Sequence, residues 1–209
     1  RNNNDDDMHG DDDDDDAQQS DWTDTDTLHY RLEYEQLPGY KRVLSYQFGE
    51  MRLLMYARLG PRSSAAHNVQ SLEVTSVKYQ ATGIGGVLAN KGGIVAEVVV
   101  NKSTRLSFLT AHLEAHEGES HFVGRCMSLQ DILTGTGHKY YDASQSSHYY
   151  FVMGDLNFRT RLAGVGPERH LQLTHTMAEK KNFRILNEYD ELRNALAQKK
   201  CLVGYETPY

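Results

Sequence analysis

The residues best suited to chemistry lie in the segment Gly154–Arg159, GDLNFR. They follow an apolar, aromatic run at residues 149–153, which predicts a buried strand. Asp155 and Asn157 are two residues apart, so they point to the same side of an extended chain. A carboxylate can orient a water molecule and an amide can bind a phosphoryl oxygen, which predicts metal-assisted phosphoester hydrolysis. The alternative is structural, because Gly-Asp-x-Asn is also typical of turns.

A second candidate segment is rich in glycine and runs from Thr82 to Gly93, TGIGGVLANKGG. Its five glycines within eleven residues allow a ligand to approach the backbone closely, and Asn90 and Lys91 add an amide and a cation. Backbone amides with a point charge can hold a phosphate. The segment lacks the GK[ST] of a Walker loop and the GxGxxG that opens a dinucleotide-binding helix. A glycine-rich turn with a solvated lysine explains the pattern equally well.

His112 follows the apolar run at residues 105–111 and is predicted to lie at the end of a strand. There an imidazole can donate to a phosphoryl oxygen or act as an acid. His116 follows four residues later, but a zinc site is disfavoured because HExxH is absent and the preceding run is strand-like. Arg125 lies in a predicted helix. Taken singly, His112 fits a structural hydrogen-bonded role and Arg125 a surface salt bridge.

Composition indicates one ordinary globular domain, since the chain has 209 residues, 39% of them hydrophobic and 24% charged. The net charge of −7 is unevenly placed: residues 1–16 carry −8, residues 17–27 carry −3, and residues 28–209 carry +4. A mildly basic folded part suits an anionic substrate. We expect neither a membrane-spanning segment nor a signal peptide.

Residues 1–20 form an acidic low-complexity segment, which we predict to be disordered or to form an inserted loop. Residues 21–209 are predicted to fold as a mixed-sheet α/β domain. We expect Cys126 and Cys201 to be reduced core thiols of an intracellular protein, although their spacing leaves a disulfide open. The predicted strands are 43–48, 51–59, 69–79, 93–100, 105–111 and 149–153, and the predicted helices are 22–34, 121–133, 167–181 and 183–200.

Together these segments resemble the inositol polyphosphate 5-phosphatases. TGIGGVLANKGG, SFLTAHLEAHE, the helix that contains Arg125, and YYFVMGDLNFR occur in the order and approximate spacing of that family. The segment Tyr189–Leu192 matches its Asp-Gln-Leu segment. The resemblance extends from about residue 22 to Tyr209, and the combination of NKGG, a strand-end His-Leu and GDLNFR is specific.

The resemblance implies a DNase I-like fold, a four-layer α/β/β/α sandwich of two mixed β-sheets flanked by helices, present here in part. It implies an enzyme, a phosphoric monoester hydrolase that removes the 5-phosphate of phosphoinositides or soluble inositol polyphosphates with Mg²⁺ as cofactor. By position, Asp155 would activate the attacking water, Asn157 would contact the scissile phosphate, and His112 would bind a phosphoryl oxygen. The implied contacts to other substrate phosphates are Asn90, Lys91 and Arg125. The resemblance also implies a cytoplasmic enzyme, peripheral at the cytoplasmic face of membranes, with no nucleic acid as partner.

Several motifs of the family have no counterpart in this sequence. They include the glutamate that binds Mg²⁺, with the asparagine before it, and the closing Pro-Thr-Tyr-Lys, Pro-Ala-Trp-Cys-Asp-Arg and Ser-Asp-His segments. Smaller departures are Met153, Phe158 and Cys126, where the family tends to have Trp, Tyr and Asn. We therefore expect an internal part of a catalytic domain, incomplete at both ends, without a metal ligand of its own and inactive or nearly so when isolated.

Two other functions stay open. Another DNase I-like phosphodiesterase, a nuclease or a sphingomyelinase, would share the GD-[LF]-N pattern, although NKGG and Phe158-Arg159 argue against it. A non-catalytic phosphoinositide-binding module would account for the missing motifs if the natural gene ended at this point.

Overall fold

The computed structural model describes residues 24–58, 69–83, 90–162 and 164–202. Contacts divide the chain into one unit that ends at Pro38 and a second that begins at Gly39. The first unit contains helix α1 (Asp24–Tyr30), which continues as a π-helical turn over Arg31–Gln36. This confirms the helix predicted near the start of the chain. The acidic segment 1–20 lies outside the described residues.

The described residues of the second unit form two β-sheets. One is an antiparallel hairpin, and the other has four strands in sequence order, of which the last two are parallel and the other neighbours antiparallel. The predicted strands are confirmed, with ends shifted by a few residues. The strands are β1 (Lys41–Phe48) and β2 (Met51–Ala57) in the hairpin, then β3 (Leu72–Ala81), β4 (Gly92–Val100), β5 (Thr104–His112) and β6 (Tyr149–Asp155).

The described helices of this unit are α2 (Glu119–Thr136), α3 (Pro167–Glu179), α4 (Phe183–Glu188) and α5 (Glu191–Ala197), and a 3₁₀ turn covers Ala143–Ser146. The prediction of one helix over 183–200 is wrong, because the helix is interrupted between the end of α4 at Glu188 and the start of α5 at Glu191. Asp190 forms an isolated bridge with Thr160, and its side chain accepts the Arg193 N–H at 2.6 Å, which caps a new helix. None of the described helices is both long and apolar enough to span a membrane.

Strand β4 is buried on both faces of the four-stranded sheet, which explains its continuous apolar run. On one face, Val95 and Leu109 belong to a core cluster with Ile132 of α2. On the other face, Ile94 packs in a second cluster with Leu53 of β2. Successive residues of a strand point to opposite faces, so a helix layer and a hairpin layer enclose the central strands. This packing fixes the ends of β5 and β6, where the candidate residues lie.

Cys126 on α2 and Cys201 after α5 are free thiols, as predicted, and both line a cavity of about 450 Å³. Burial raises the pKa of both thiols, and that of Cys201 is raised to about 12. Since only a thiolate attacks an electrophile, a raised pKa makes a thiol less reactive.

We therefore expect Cys201 in the folded protein to react with iodoacetamide at pH 8 at least roughly 100-fold more slowly than in the urea-unfolded chain, because little thiolate forms. Mass spectrometry of peptides alkylated for increasing times measures the rate. The half-buried Cys126 is the internal comparison and should react faster than Cys201 in the same sample. Equal alkylation rates for Cys201 with and without urea would contradict the burial of this thiol in the folded protein.

Candidate active site

Neighbouring strands bring three candidate side chains to one edge of the four-stranded sheet. In the parallel pairing of β5 with β6, His112 is the register partner of Asp155. On the other side of β5, His112 is opposite Gly92, the residue after Lys91. Lys91, His112 and Asp155 therefore come from three adjacent strand ends and share one edge of the sheet.

These side chains form a cluster that is open to solvent. Lys91 Nζ lies 2.5 Å from His112 Nε2, and His112 Nε2 lies 3.8 Å from Asp155 Oδ2. The His112 side chain is 34% exposed and that of Asp155 65% exposed. Because an ammonium group only donates, Nε2 accepts in the contact with Lys91. The cluster therefore holds an ammonium group, an imidazole and a carboxylate within hydrogen-bonding or ion-pair distance of their neighbours.

Asn157 is fixed beside this cluster by three hydrogen bonds. Its backbone N–H donates to Asp155 Oδ1 at 3.2 Å, and its Nδ2 donates to the Leu113 carbonyl at 2.9 Å. Its Oδ1 accepts from Arg159 Nη2 at 3.1 Å. The backbone is left-handed at φ +55°, a conformation that Asn adopts more readily than most residues. The structural alternative thus describes the local backbone correctly, since Asp155 Oδ1 closes an Asx-turn. The turn does not bury the Asp155 side chain, which is largely exposed.

Arg125 does not reach this cluster. Its side chain is fully buried, with Nη2 2.6 Å from Glu191 Oε2 and Nη1 donating to the His116 carbonyl at 2.9 Å. Its guanidinium carbon also lies 5.4 Å from the centre of the Phe158 ring, within range of a cation–π interaction. A surface salt bridge is therefore the wrong description, and the buried guanidinium is not presented to a phosphate in solution.

Glu191 was not among the site residues predicted from the sequence, yet it contacts Arg125 and Arg159. Its Oε2 accepts from Arg125 Nη2 and from the Arg159 N–H at 3.2 Å, and its own N–H donates to the Arg159 carbonyl at 2.9 Å. The available signal was Asp190, a favoured N-cap residue, which would have placed the start of a helix at Glu191.

Asn90 is exposed and precedes Lys91 at the same edge of the sheet. The Thr82 N–H donates to the Lys91 carbonyl at 3.0 Å, so the two ends of the glycine-rich segment meet beside β4. Residues 84–89, which carry Gly85 and Gly86, lie outside the described residues.

The described residues do not make a complete metal site. Within ranges 24–58, 69–83, 90–162 and 164–202, no group of three or more His, Cys, Asp or Glu side chains is arranged to hold an ion. At the cluster, Asp155 supplies a carboxylate, one oxygen of which already accepts the Asn157 N–H. Mg²⁺ commonly takes one or two protein carboxylates, with water and substrate phosphates as its other ligands, so Asp155 would be at most part of such a site.

Comparison with known proteins places these residues in a family. The model of endonuclease/exonuclease/phosphatase family 2 matches residues 8–208. The chain is 27% identical over 172 residues to phosphatidylinositol 3,4,5-trisphosphate 5-phosphatase 2B of Danio rerio, over 80% of the chain and 13% of that protein. It is also 27% identical over 172 residues to inositol-1,4,5-trisphosphate 5-phosphatase 1 of Schizosaccharomyces pombe, over 82% of the chain and 14% of that protein. The chain thus spans a small part of the length of the curated relatives it matches.

The fold is similar to a solved one, the inositol polyphosphate 5-phosphatase domain of spsynaptojanin in complex with inositol (1,4)-bisphosphate and a calcium ion. The TM-score is 0.59 at 21% identity, over 82% of this chain and 45% of that chain. The mixed α/β arrangement with two sheets is therefore that of a DNase I-like domain, and the similarity to inositol polyphosphate 5-phosphatases is distant but extends over most of the chain. With the family model matched from residue 8 to residue 208, the chain belongs to the endonuclease/exonuclease/phosphatase family.

Proposed function

We propose that the whole protein hydrolyses the 5-phosphate of phosphoinositides or soluble inositol polyphosphates. The observation that carries this proposal is the cluster of Lys91, His112 and Asp155 on three adjacent strand ends, with Asn157 fixed beside it. Phosphoryl transfer depends chiefly on groups that are already oriented toward the developing charge. Because these side chains are held by strand register and an Asx-turn, they meet that requirement before a substrate arrives.

Each side chain has one role in this proposal. Asp155 Oδ2 accepts a proton from the attacking water, while Oδ1 stays in the turn. The water oxygen bonds to phosphorus as the bond from phosphorus to the inositol oxygen breaks, and the inositol oxygen takes up a proton and leaves as the hydroxyl. Asn157 has a second Nδ2 hydrogen, beyond the one given to Leu113, which donates to a phosphoryl oxygen. Lys91 and His112 each donate a hydrogen bond to a phosphoryl oxygen, which replaces their contact with each other. Asn90 contacts a substrate phosphate other than the one that is removed. Mg²⁺, when bound, would neutralise charge on the phosphoryl oxygens.

We further propose that the complete domain is the four-layer sandwich. It would contain a further layer besides the helices, the four-stranded sheet and the hairpin described above. Tyr149, Phe151 and Met153 alternate along the β6 face that points away from α2, and they are 61%, 46% and 40% exposed. Phe151 stacks on Phe108 of β5 at 5.1 Å, so the apolar surface extends over two strands. On the same face of the sheet, the hairpin already covers Ile94 of β4. An apolar sheet surface of this kind favours cover by another layer.

The substrate class also suggests where the protein works. We propose a cytoplasmic enzyme that acts as a peripheral protein at the cytoplasmic face of membranes, without nucleic acid as a partner. The net charge of +4 over residues 28–209 supports approach to an anionic substrate or lipid surface.

The test is a phosphate-release assay on the full-length protein with three substrates: a 5-phosphorylated inositol lipid in vesicles, a soluble 5-phosphorylated inositol, and duplex DNA. We expect inorganic phosphate from at least one of the two inositol compounds, and no release in EDTA. Cleavage of DNA without phosphate release would support a nuclease. Binding of the vesicles without turnover would support a non-catalytic phosphoinositide-binding module.

Replacing Lys91 by Ala is expected to raise KM about 10- to 100-fold, because a charge-assisted hydrogen bond to phosphate contributes roughly 1.5–3 kcal/mol. Steady-state kinetics on the substrate that the wild type hydrolyses would measure the change. Lys102→Ala is the matched control, since Lys102 is an exposed residue of the turn between β4 and β5. A KM for Lys91→Ala equal to that of the control would remove Lys91 from the phosphate site.

A further inference from the structure

The loop that follows β6 is hydrogen-bonded to the first residue of α5 through both the side chain and the backbone of that residue. Glu191 accepts the Arg159 N–H on its side-chain Oε2 and donates its own N–H to the Arg159 carbonyl. Two residues further on, the Arg161 N–H donates to the Tyr189 carbonyl at 2.8 Å. The backbone of residues 159–161 is therefore hydrogen-bonded to residues 189–191, between α4 and α5, in the pattern of a short antiparallel β-bridge.

The Arg159 side chain extends this attachment to the candidate active site. Its Nη2 donates to Asn157 Oδ1 at 3.1 Å, which leaves the amide nitrogen of Asn157 facing the Leu113 carbonyl. An amide can be turned by 180° with little change in shape, so its orientation depends on such partners. Asn157 is thus oriented by Arg159, and the backbone of Arg159 is held by Glu191.

Arg125 completes the network from the interior. The Arg125 side chain is 0% exposed and that of Glu191 is 6% exposed, with 2.6 Å between Nη2 and Oε2. A buried ion pair of this kind is often no more stabilising than a well-packed apolar pair, so stability alone does not account for it. The ion pair does fix the position of an atom that the loop needs. Arg125 binds Glu191 Oε2, which is the same oxygen that accepts the Arg159 N–H.

We propose that Glu191, held by Arg125, is a positioning residue that orients Asn157 through Arg159. This inference rests on the proposed function, since Asn157 is taken there to contact the phosphoryl group. It also gives Arg125 a role different from the phosphate contact implied by resemblance: Arg125 acts on the reaction from inside the protein, through Glu191.

The deciding variant in the full-length protein is the double replacement Arg125→Met with Glu191→Leu. It removes both charges together, so neither is left buried and unpaired. We expect kcat to fall about 10- to 100-fold with KM within about twofold, as for a small misplacement of a reacting group. The matched control is Arg184→Met with Glu188→Leu, which removes an exposed ion pair on α4 and should leave both constants unchanged.

Two single variants separate positioning from simple stabilisation. Glu191→Gln keeps an acceptor oxygen for Arg125 and for the Arg159 N–H, so we expect kcat near the wild-type value. Its free energy of unfolding should be lower than that of the wild type, because the buried Arg125 charge loses its counter-ion. Glu191→Asp keeps the charge but withdraws the carboxylate by one methylene from a 3.2 Å contact, so we expect kcat to fall although the protein folds. Glu191→Asp also serves as the deciding variant if the double replacement does not fold.

Hydrogen exchange followed by mass spectrometry gives a second measurement that does not depend on activity. We expect faster exchange in a peptide covering residues 157–161 of the double variant, or of Glu191→Asp, with β5 unchanged and with Glu191→Gln like the wild type. Wild-type exchange and wild-type kcat in a folded double variant, or in Glu191→Asp, would overturn the proposal. A wild-type protein that hydrolyses no 5-phosphate would instead contradict the proposed function, while the exchange result would still show whether Glu191 holds the loop.

Discussion

Replacing Asp155 by Asn in the full-length protein is expected to lower kcat at least about 1,000-fold, because an amide cannot take a proton from the attacking water. The Asn side-chain oxygen still accepts the Asn157 N–H, so the turn is retained. Since the carboxylate is 65% exposed, we expect the free energy of unfolding to change by less than about 1 kcal/mol. Phosphate release and thermal denaturation, measured on the same preparation, test both parts.

Asp142→Asn is the matched control for this experiment. Asp142 also accepts a backbone N–H two residues on, from Ser144 at 2.9 Å, and it caps the 3₁₀ turn that precedes β6. The same chemical change is thus made in the same kind of turn, but before β6 begins, and kcat should stay close to the wild-type value. If Asp155→Asn unfolds the protein, or leaves kcat unchanged, the turn role of Asp155 would be its main one.

The strands were predictable because their signals are local. Apolar residues that alternate or run together, bounded by turn residues, indicate each strand without knowledge of its partner. The pairing of those strands is not a local property. His112 and Asp155 are register partners although 43 residues apart, and nothing in the periodicity of either strand specifies the other. Their meeting at one sheet edge could be anticipated only from the resemblance to a family.

The environment of Arg125 was mispredicted for a related reason. An arginine in a helix is usually exposed, and an interior position becomes favourable only when a partner is supplied from elsewhere. That partner, Glu191, is 66 residues further along the chain. It faces Arg125 because the predicted single helix is broken at Asp190, where the bridge to Thr160 competes with helix continuation. A local pattern of apolar residues cannot report such a competition.

Gly154→Ala is expected to destabilise the full-length protein by at least about 3 kcal/mol, which combines backbone strain with overpacking. Gly154 has φ +116°, and a Cβ there would lie 2.1 Å from the Ala111 carbonyl oxygen and 2.8 Å from the Ala111 nitrogen. Ala111 is the register partner of Gly154 and cannot move aside without breaking the pairing of β5 with β6. Urea denaturation followed by fluorescence measures the change in the free energy of unfolding.

The matched control for that change is Gly166→Ala. Gly166 has φ −66°, which any residue adopts, and a Cβ there would meet nothing within 4 Å, so we expect less than about 1 kcal/mol. If both alanine variants were equally stable, close approach of the strands at Gly154 would not be needed. If only Gly154→Ala unfolds, the glycine of GDLNFR has a role distinct from that of Asp155: it allows β6 to approach β5 closely enough for His112 and Asp155 to share one edge of the sheet.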